Sequence, residues 1–420
     1  MEPTARIPTG PTATPTEPTA PTRLQPFSHL ASLVGADALT GFLADTLGRG
    51  PFRRRLHDGV ALALFGWPQL NDALAQHRLG PPRLKLEKDG GDAGKGVFRE
   101  RRTGRNQLVH DVDLPLLYER LRDGATLILD AVNELGGPLQ QLCAGLAGEF
   151  SAGSQANLYA CWGTSLGFDV HWDDHDVFVI QLEGAKRWML YGSTRPAPLR
   201  RDLDADHPKP AEPLEEIVLR AGDMLYLPRG YWHAAVGIGE PSLHLTVGLT
   251  RKTGHDLLGW LTDQVLAADI VRADLPLEAD DEILGRQVAA VLAAALGESD
   301  PADLGRRFRR HAEFRRLRPE PSFPFIGQAS PAYAPGTRIQ LSAGAVRLKP
   351  AADPAAFVLS HRGVEYTLAG PLQASVAAMA LGKTVTFGDL QSAAAPAPAE
   401  QVAALVTELL GRGVFVLAPS

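Results

Sequence analysis

Cysteine is scarce in this chain, with only Cys143 and Cys161 among 420 residues. Two thiols cannot build a disulfide framework or a zinc site of ordinary ligand count, so both read as reduced and buried, and any chemistry must use other groups. Long apolar runs are also missing. No stretch approaches the ~18–20 uninterrupted apolar residues of a membrane span, and the opening MEPTARIPTGPTATPTEPTAPT has no apolar centre like that of a signal peptide. The expectation is a soluble, cytoplasmic protein without a membrane partner. Positive charge is in deficit, 42 Lys and Arg against 48 Asp and Glu. That balance argues against a nucleic-acid partner held mainly by phosphate neutralisation. An internal repeat is missing too. What remains is a globular composition, 45% apolar and 21% charged, in a chain long enough for two or three structural units with a buried core.

The pattern changes along the chain. Residues 1–25 form a Pro/Thr-rich tail, with 13 Pro or Thr in the first 22 positions, too poor in apolar side chains to offset the entropy of ordering. From Ser28 to Gly80 apolar residues such as Leu39, Phe42, Leu43 and Leu47 recur at helical spacing, which predicts a helical lead-in. Strands are predicted at Leu84–Lys88 and Thr126–Leu129, a mobile loop over Gly90–Arg105, and a helix over Pro138–Phe150. From Gln155 the period shortens. Seven short apolar or alternating runs between Ala156 and Leu249, punctuated by Gly, Pro and Asp, predict an antiparallel sandwich or barrel. After Arg251 the helical period returns over Asp256–Val271, Asp281–Leu296 and Pro301–Arg316, and the last hundred residues mix short strands with helices at Pro371–Leu381 and Ala399–Leu410. The domain reading is a catalytic-type core over 26–250, a helical region over 251–320 and an end domain over 321–420. That end domain carries six Lys or Arg against five Asp or Glu, too weakly basic for a DNA-reading wing, so direct DNA binding is not expected.

Among the histidines, the informative ones lie in the β-rich region. His171 and Asp173 are two residues apart, so in an extended segment they share a face. His233 follows Asp173 after 59 intervening residues, far enough along for a strand facing the pair across a sandwich. Two imidazoles and one carboxylate on one side of a metal leave three positions open, the facial arrangement of non-heme Fe(II) oxygenases. Standing alone, a His-x-Asp pair is more often ordinary solvated polar surface.

The surrounding text adds weight. HWDDHDVFVIQLEGAKRWMLY (171–191), AGDMLYLPRGYWH (221–233) and SLHLTVGL (242–249) together resemble the JmjC-type cupin oxygenases, and within them the ribosomal oxygenase branch of protein hydroxylases. The resemblance is close over about 150–250. It implies an α+β chain with a double-stranded β-helix (jelly-roll or cupin) core, a helical dimerisation region and a winged-helix-like C-terminal domain. It also implies Fe(2+) held by His171, Asp173 and His233, with 2-oxoglutarate and O2 as cosubstrates, and a protein or peptide substrate, a ribosomal protein first among them. Lys186 falls where the family places the cation for the distal carboxylate, and an anion in a buried pocket needs such a partner. The plainer reading leaves Lys186 in solvent beside Arg187. Asn157 and Tyr159 form an Asn-x-Tyr pair that either faces the site or serves the core. His244 and Thr246 share a face and either line the cosubstrate pocket or simply pack.

Other residues are read more plainly. Asp174 points away from Asp173, and His175 is placed at a rim. The Arg306–Arg318 run, with seven arginines, reads as a helix with solvated charges rather than an RNA contact. Trp162, Trp172, Trp188 and Trp232 read as packing. The activity implied is side-chain hydroxylation at His or Arg of a ribosomal protein by a homodimer. The alternatives are a hydroxylase of another peptide such as a natural-product precursor, an N-methyl-lysine demethylase, and a non-catalytic cupin scaffold.

Overall fold

The structure, a computed structural model, describes residues 28–418 except 58, 203–207, 267, 276–279, 298–299, 315–319, 323–332 and 343–345, and the backbone alone at 295–296 and 313–314. The tail at 1–25, His207 and the end of the arginine run lie outside the described residues. Contacts divide the chain between Thr250 and Arg251 into two compact units.

The first unit is a β-sandwich with a helical cover. Its strands are β1 (Phe52–Arg55), β2 (Leu84–Lys88), β3 (Gly91–Asp92), β4 (Phe98–Arg102), β5 (Leu108–Val112), β6 (Thr126–Leu129), β7 (Gly153–Cys161), β8 (Asp176–Glu183), β9 (Ala185–Ser193), β10 (Glu215–Arg220), β11 (Asp223–Leu227), β12 (Tyr231–Gly237) and β13 (Ser242–Thr250). An eight-stranded sheet runs β1-β11-β8-β13-β7-β6-β2-β3 and faces a three-stranded sheet β10-β9-β12, with every pairing antiparallel. The helices are α1 (Ser28–Val34), α2 (Leu39–Gly41) continuing into one π-turn, α3 (Val60–Leu64), α4 (Trp67–Gln76), α5 (Leu114–Arg122) and α6 (Gly137–Phe150).

Strand β8 shows why these residues fold this way. Its run DVFVIQL is buried throughout, because both faces are covered. Val177 and Val179 point between the sheets, where they join Trp188, Leu190, Ile217, Leu219, Leu225 and Leu227. Phe178, Ile180 and Leu182 point outward into a second core with Met224, Tyr226, Leu245 and the helical residues Leu30, Leu33 and Phe42. Phe42 meets Tyr226 edge-on at 4.9 Å, and the fully buried Tyr226 hydroxyl accepts from the Gly48 N–H at 2.8 Å, so its polar end is satisfied. Burying a large side chain contributes roughly 1.5–3 kcal/mol, and doubly covered strands collect that gain on both faces. The β8–β9 turn needs Gly184, whose φ is +65° and where a Cβ would lie 2.0 Å from the Pro241 carbonyl oxygen.

The second unit contains α7 (Gly254–Val265), α8 (Asp269–Arg272), α9 (Asp281–Leu296) and α10 (Pro301–Phe314), then β14 (Arg338–Leu341), β15 (Val346–Pro350), β16 (Ala356–His361), β17 (Val364–Ala369), α11 (Gln373–Ala380), β18 (Val385–Thr386), α12 (Phe387–Ala393), α13 (Ala399–Gly411) and β19 (Phe415–Leu417). Helices α7 and α12 start with reciprocal capping boxes, Thr253 with Asp256 and Thr386 with Asp389. One sheet runs β18-β14-β19, another is the meander β15-β16-β17, and Ile339, Phe357, Leu359, Val406 and Leu409 sit in the core between these elements and the helices.

Several expectations need correction. Gly90–Arg105 is not a loop throughout, since β3 pairs with β2 and β4 pairs with β5 as an exposed hairpin. Charge on both faces of β4 left no alternation to read. The helical lead-in contains a strand, β1, which extends the large sheet beside β11. The helix expected over Asp256–Val271 breaks into α7 and α8. Strands β15 and β17, with little buried on either face, also escaped the pattern.

Candidate metal centre and anion pocket

The segment Asp169–His175 is irregular, with bends at Val170, Asp174 and His175, and β8 begins only at Asp176. What places His171 is one isolated bridge to His233: the His171 N–H donates to the His233 carbonyl at 3.1 Å, and the His233 N–H donates back at 2.8 Å. Two candidate ligands are therefore direct cross-strand neighbours, with ring centroids 4.5 Å apart. Asp173 is held differently, its carbonyl accepting from the Gly230 N–H at 2.9 Å. A bulge between Trp232 and His233 aims the second imidazole.

The three side chains converge, with one ligand atom from each of His171, Asp173 and His233 all within 4.8 Å of one another. His233 Nε2 lies 3.7 Å from an Asp173 carboxylate oxygen. Both imidazoles turn Nδ1 to a carbonyl, His171 to that of Asp169 at 2.8 Å and His233 to that of Tyr231 at 2.9 Å. A carbonyl only accepts, so in the neutral ring Nδ1 carries the proton and Nε2 keeps the lone pair, the tautomer a metal needs. Burial, then the neighbouring His171, pushes the His233 pKa down to about 4, with Asp173 opposing. At neutral pH the His233 imidazole is uncharged.

The triad opens on a pocket lined also by Thr126, Tyr159, Gly167, Phe168, Val177, Val179, Lys186, Trp188, Ala235, His244 and Thr246. Lys186 is only 4% exposed, and no carboxylate pairs with it among the described residues. Burial lowers its pKa, opposed by the nearby Cys161 thiol. His244 is buried too, stacked on Tyr159 at 4.8 Å and edge-on to Trp188 at 5.6 Å. Burial and then the Lys186 charge hold its pKa well below the usual histidine range, and its Nδ1 has no hydrogen-bond partner. Trp188 stacks on His233 at 5.8 Å, and its indole N–H is likewise unpartnered. A lone buried cation with orphaned polar atoms around it fits an anion that completes the set.

Other predicted residues divide. Tyr159 and Thr246 line the pocket, whereas Asn157 stands behind it, its side-chain oxygen accepting from the Ala131 N–H and from Gln155, both at 3.0 Å. Asn157 also hydrogen-bonds Tyr159, whose pKa burial raises. His175 lies outside the lining and pairs with Asp174 at 2.9 Å, its ring over Gly248. Trp162 packs on Trp67, and Trp232 donates to Thr194. Trp188, Phe168 and Thr126 were missed as lining residues. Trp188 was within reach, since it alternates with Lys186 along β9.

Two imidazoles and a carboxylate at the mouth of a β-sandwich form a candidate metal site, and residues 138–257, which contain it, match the family model of the JmjC domain. The chain is 34% identical over 257 residues to the bifunctional lysine-specific demethylase and histidyl-hydroxylase NO66 of Drosophila persimilis, covering 59% of this chain and 36% of that one. Against the Dictyostelium discoideum NO66 it is 33% identical over 156 residues, 36% of this chain and 30% of that protein. The chain thus spans about a third of the length of these curated relatives. Its fold is that of the Escherichia coli ribosomal oxygenase YcfD, solved in complex with cobalt and 2-oxoglutarate, with a TM-score of 0.56, 17% identity and coverage of 91% of this chain and 98% of that one.

Proposed function

We propose that this protein is an Fe(II)- and 2-oxoglutarate-dependent oxygenase that hydroxylates a protein side chain, a His or Arg of a ribosomal protein. The observation that carries the reading is the set His171, Asp173 and His233 opening onto a pocket that holds the unpaired, buried Lys186. Two imidazoles and a carboxylate suit non-heme iron, and the solved relative holds a metal and the keto acid together. When bound, iron and 2-oxoglutarate with O2 supply the oxidising power to place oxygen into a C–H bond while the keto acid is decarboxylated to succinate. The chain's own groups do the rest. Lys186 pairs the distal carboxylate. Thr246, Tyr159 and His244 offer polar atoms beside it. Val177, Val179 and Trp188 exclude water and so strengthen that pairing. The carbonyls of Asp169 and Tyr231 hold both imidazoles in the metal-binding tautomer.

Demethylation of an N-methyl-lysine would use the same site, and the relatives' name joins the two activities. We also read the protein as a cytoplasmic homodimer. Leu284, Val288 and Leu292 recur every four residues on α9 at 36%, 58% and 57% exposure, an apolar stripe that a second copy would cover. Sedimentation at micromolar concentration checks it: a dimer that Val288→Glu converts to monomer is expected, and a monomeric wild type refutes it.

The catalytic test is anaerobic addition of Fe(II) and then 2-oxoglutarate. A weak visible charge-transfer band should appear in wild type and not in His233→Ala. Ribosomal proteins incubated with the loaded enzyme should gain the mass of one oxygen, while formaldehyde release from methylated peptides would mark demethylation. Absence of the band in folded, iron-loaded wild type would leave a binding scaffold as the better account.

A further inference from the structure

Cys161 takes no part in this proposed chemistry, yet the fold sets it beside Lys186. On β7 it alternates with Tyr159 and so faces the interior, whereas Ala156, Leu158 and Ala160 face the outer core. Gly237 is the register partner of Lys186 across β9 and β12. A Cβ built on Gly237 would lie 3.3 Å from Cys161 Sγ. Paired residues in an antiparallel ladder hold their Cβ positions about 4.5–5.5 Å apart on one face, so the thiol lies within reach of the Lys186 stem. Both residues are nearly inaccessible, at 3% and 4% exposure. The lysine has no carboxylate partner among the described residues, and burial, which lowers its pKa, is opposed by the nearby Cys161.

We propose that Cys161 and Lys186 are a peroxide-sensitive modification site, closing by a sulfur–nitrogen bond that removes the pocket's cation. In the first step hydrogen peroxide oxidises the thiol to sulfenic acid and is itself reduced to water. In the second, the free amine of Lys186 attacks the sulfur, the S–N bond forms, the S–O bond breaks, and the oxygen leaves as water with one proton from the amine and the hydroxyl hydrogen. The link is a sulfenamide, and the net change is loss of two hydrogen atoms. Burial favours the free amine that the second step needs. Peroxide is close to water in size, and the route this inference requires is the pocket that Lys186 lines, with Cys161 just behind its lining. A thiol reductant reverses the bond. The other cysteine, Cys143, sits on α6 in the outer core with its pKa pushed up to about 12 by burial, which disfavours the thiolate that reacts with peroxide.

The consequence for the site rests on the 2-oxoglutarate reading, while the bond itself does not. The experiment treats metal-free full-length protein with a few equivalents of hydrogen peroxide, followed by intact and peptide mass spectrometry and titration of 2-oxoglutarate into Mn(II)-loaded samples. The expected result is a mass lower by two hydrogens, a linked peptide joining Cys161 to Lys186, loss of 2-oxoglutarate binding, and recovery of both after thiol reduction. Cys161→Ser and Cys161→Ala, with unchanged melting and unchanged binding before treatment, should keep binding after it. Unlinked Cys161 and Lys186 peptides from treated wild type would overturn the inference. So would equal loss of binding in Cys161→Ser. If untreated wild type does not bind 2-oxoglutarate, the proposed function fails, and the linked peptide still decides this inference.

Discussion

Replacing Lys186 with methionine should make the protein more stable and less able to bind its cosubstrate. Methionine nearly matches the volume of the lysine stem and removes the ammonium. Lys186 is 4% exposed, and among the described residues no carboxylate balances its charge. Exchanging a buried charge for a well-packed apolar group is neutral or stabilising by about 1–4 kcal/mol, and each kcal/mol should raise the melting temperature by roughly 2–4 °C for a unit of this size. The bound state reverses the sign. The distal carboxylate of 2-oxoglutarate would then enter a pocket lacking its cation, and truncating one partner of a buried charge pair costs about 2–5 kcal/mol. That is roughly 30- to 5,000-fold in Kd. Differential scanning calorimetry of the metal-free protein and isothermal titration of 2-oxoglutarate into the Mn(II) form measure the two halves. A variant that melts lower and binds the keto acid as tightly as wild type would refute the assignment of Lys186 on both counts.

Three further outcomes follow from single sites. His361, 1% exposed and hydrogen-bonded to the Ser342 carbonyl at 3.0 Å, has its pKa lowered from 6.5 to about 4, chiefly by burial. The unfolded chain therefore binds the extra proton first, so this stabilisation is complete above pH 6.5 and is lost as pH falls toward 4, by up to about 3 kcal/mol. Denaturant titrations at pH 7 and 4.5 should show a smaller acid loss in His361→Gln than in wild type, and parallel losses would count against it. Gly237→Ala places a Cβ 2.1 Å from the Gly163 carbonyl oxygen, which should cost about 1–3 kcal/mol; an unchanged melting temperature would show that the strand gives way freely. Asn157→Leu orphans the Ala131 N–H, where φ is +52°, and should destabilise by about 1–3 kcal/mol while metal binding persists in an equilibrium titration.

The sandwich strands were legible because Gly, Pro and Asp punctuate short apolar runs, and β7 to β13 lie close to where those runs were read. The convergence of His171, Asp173 and His233 was legible for a different reason: a candidate ligand set is a residue type at a spacing, and it survives without knowledge of the strand path. Exposed or charged strands were not. In β1 and β4 the arginines occupy both faces, so the period of two carries no hydrophobic contrast, and only pairing with β11 or β5 reveals them. Trp188 was taken as packing because an indole gives the same apolar signal in a core or a pocket. Its unpartnered N–H marks the difference, and that is visible only with neighbours in place.

The His171–His233 bridge fixes two candidate ligands on one rung of a β-ladder through a reciprocal pair of main-chain hydrogen bonds. Main-chain bonds do not know which side chains they carry. The spacing of the two imidazoles is consequently a property of the sheet and is in place before any ion arrives. On the proposed function, loading would be a capture by a finished cradle rather than a folding event. It adds to stability by mass action, in proportion to the logarithm of free metal, and an emptied chain can be refilled without passing through the unfolded state.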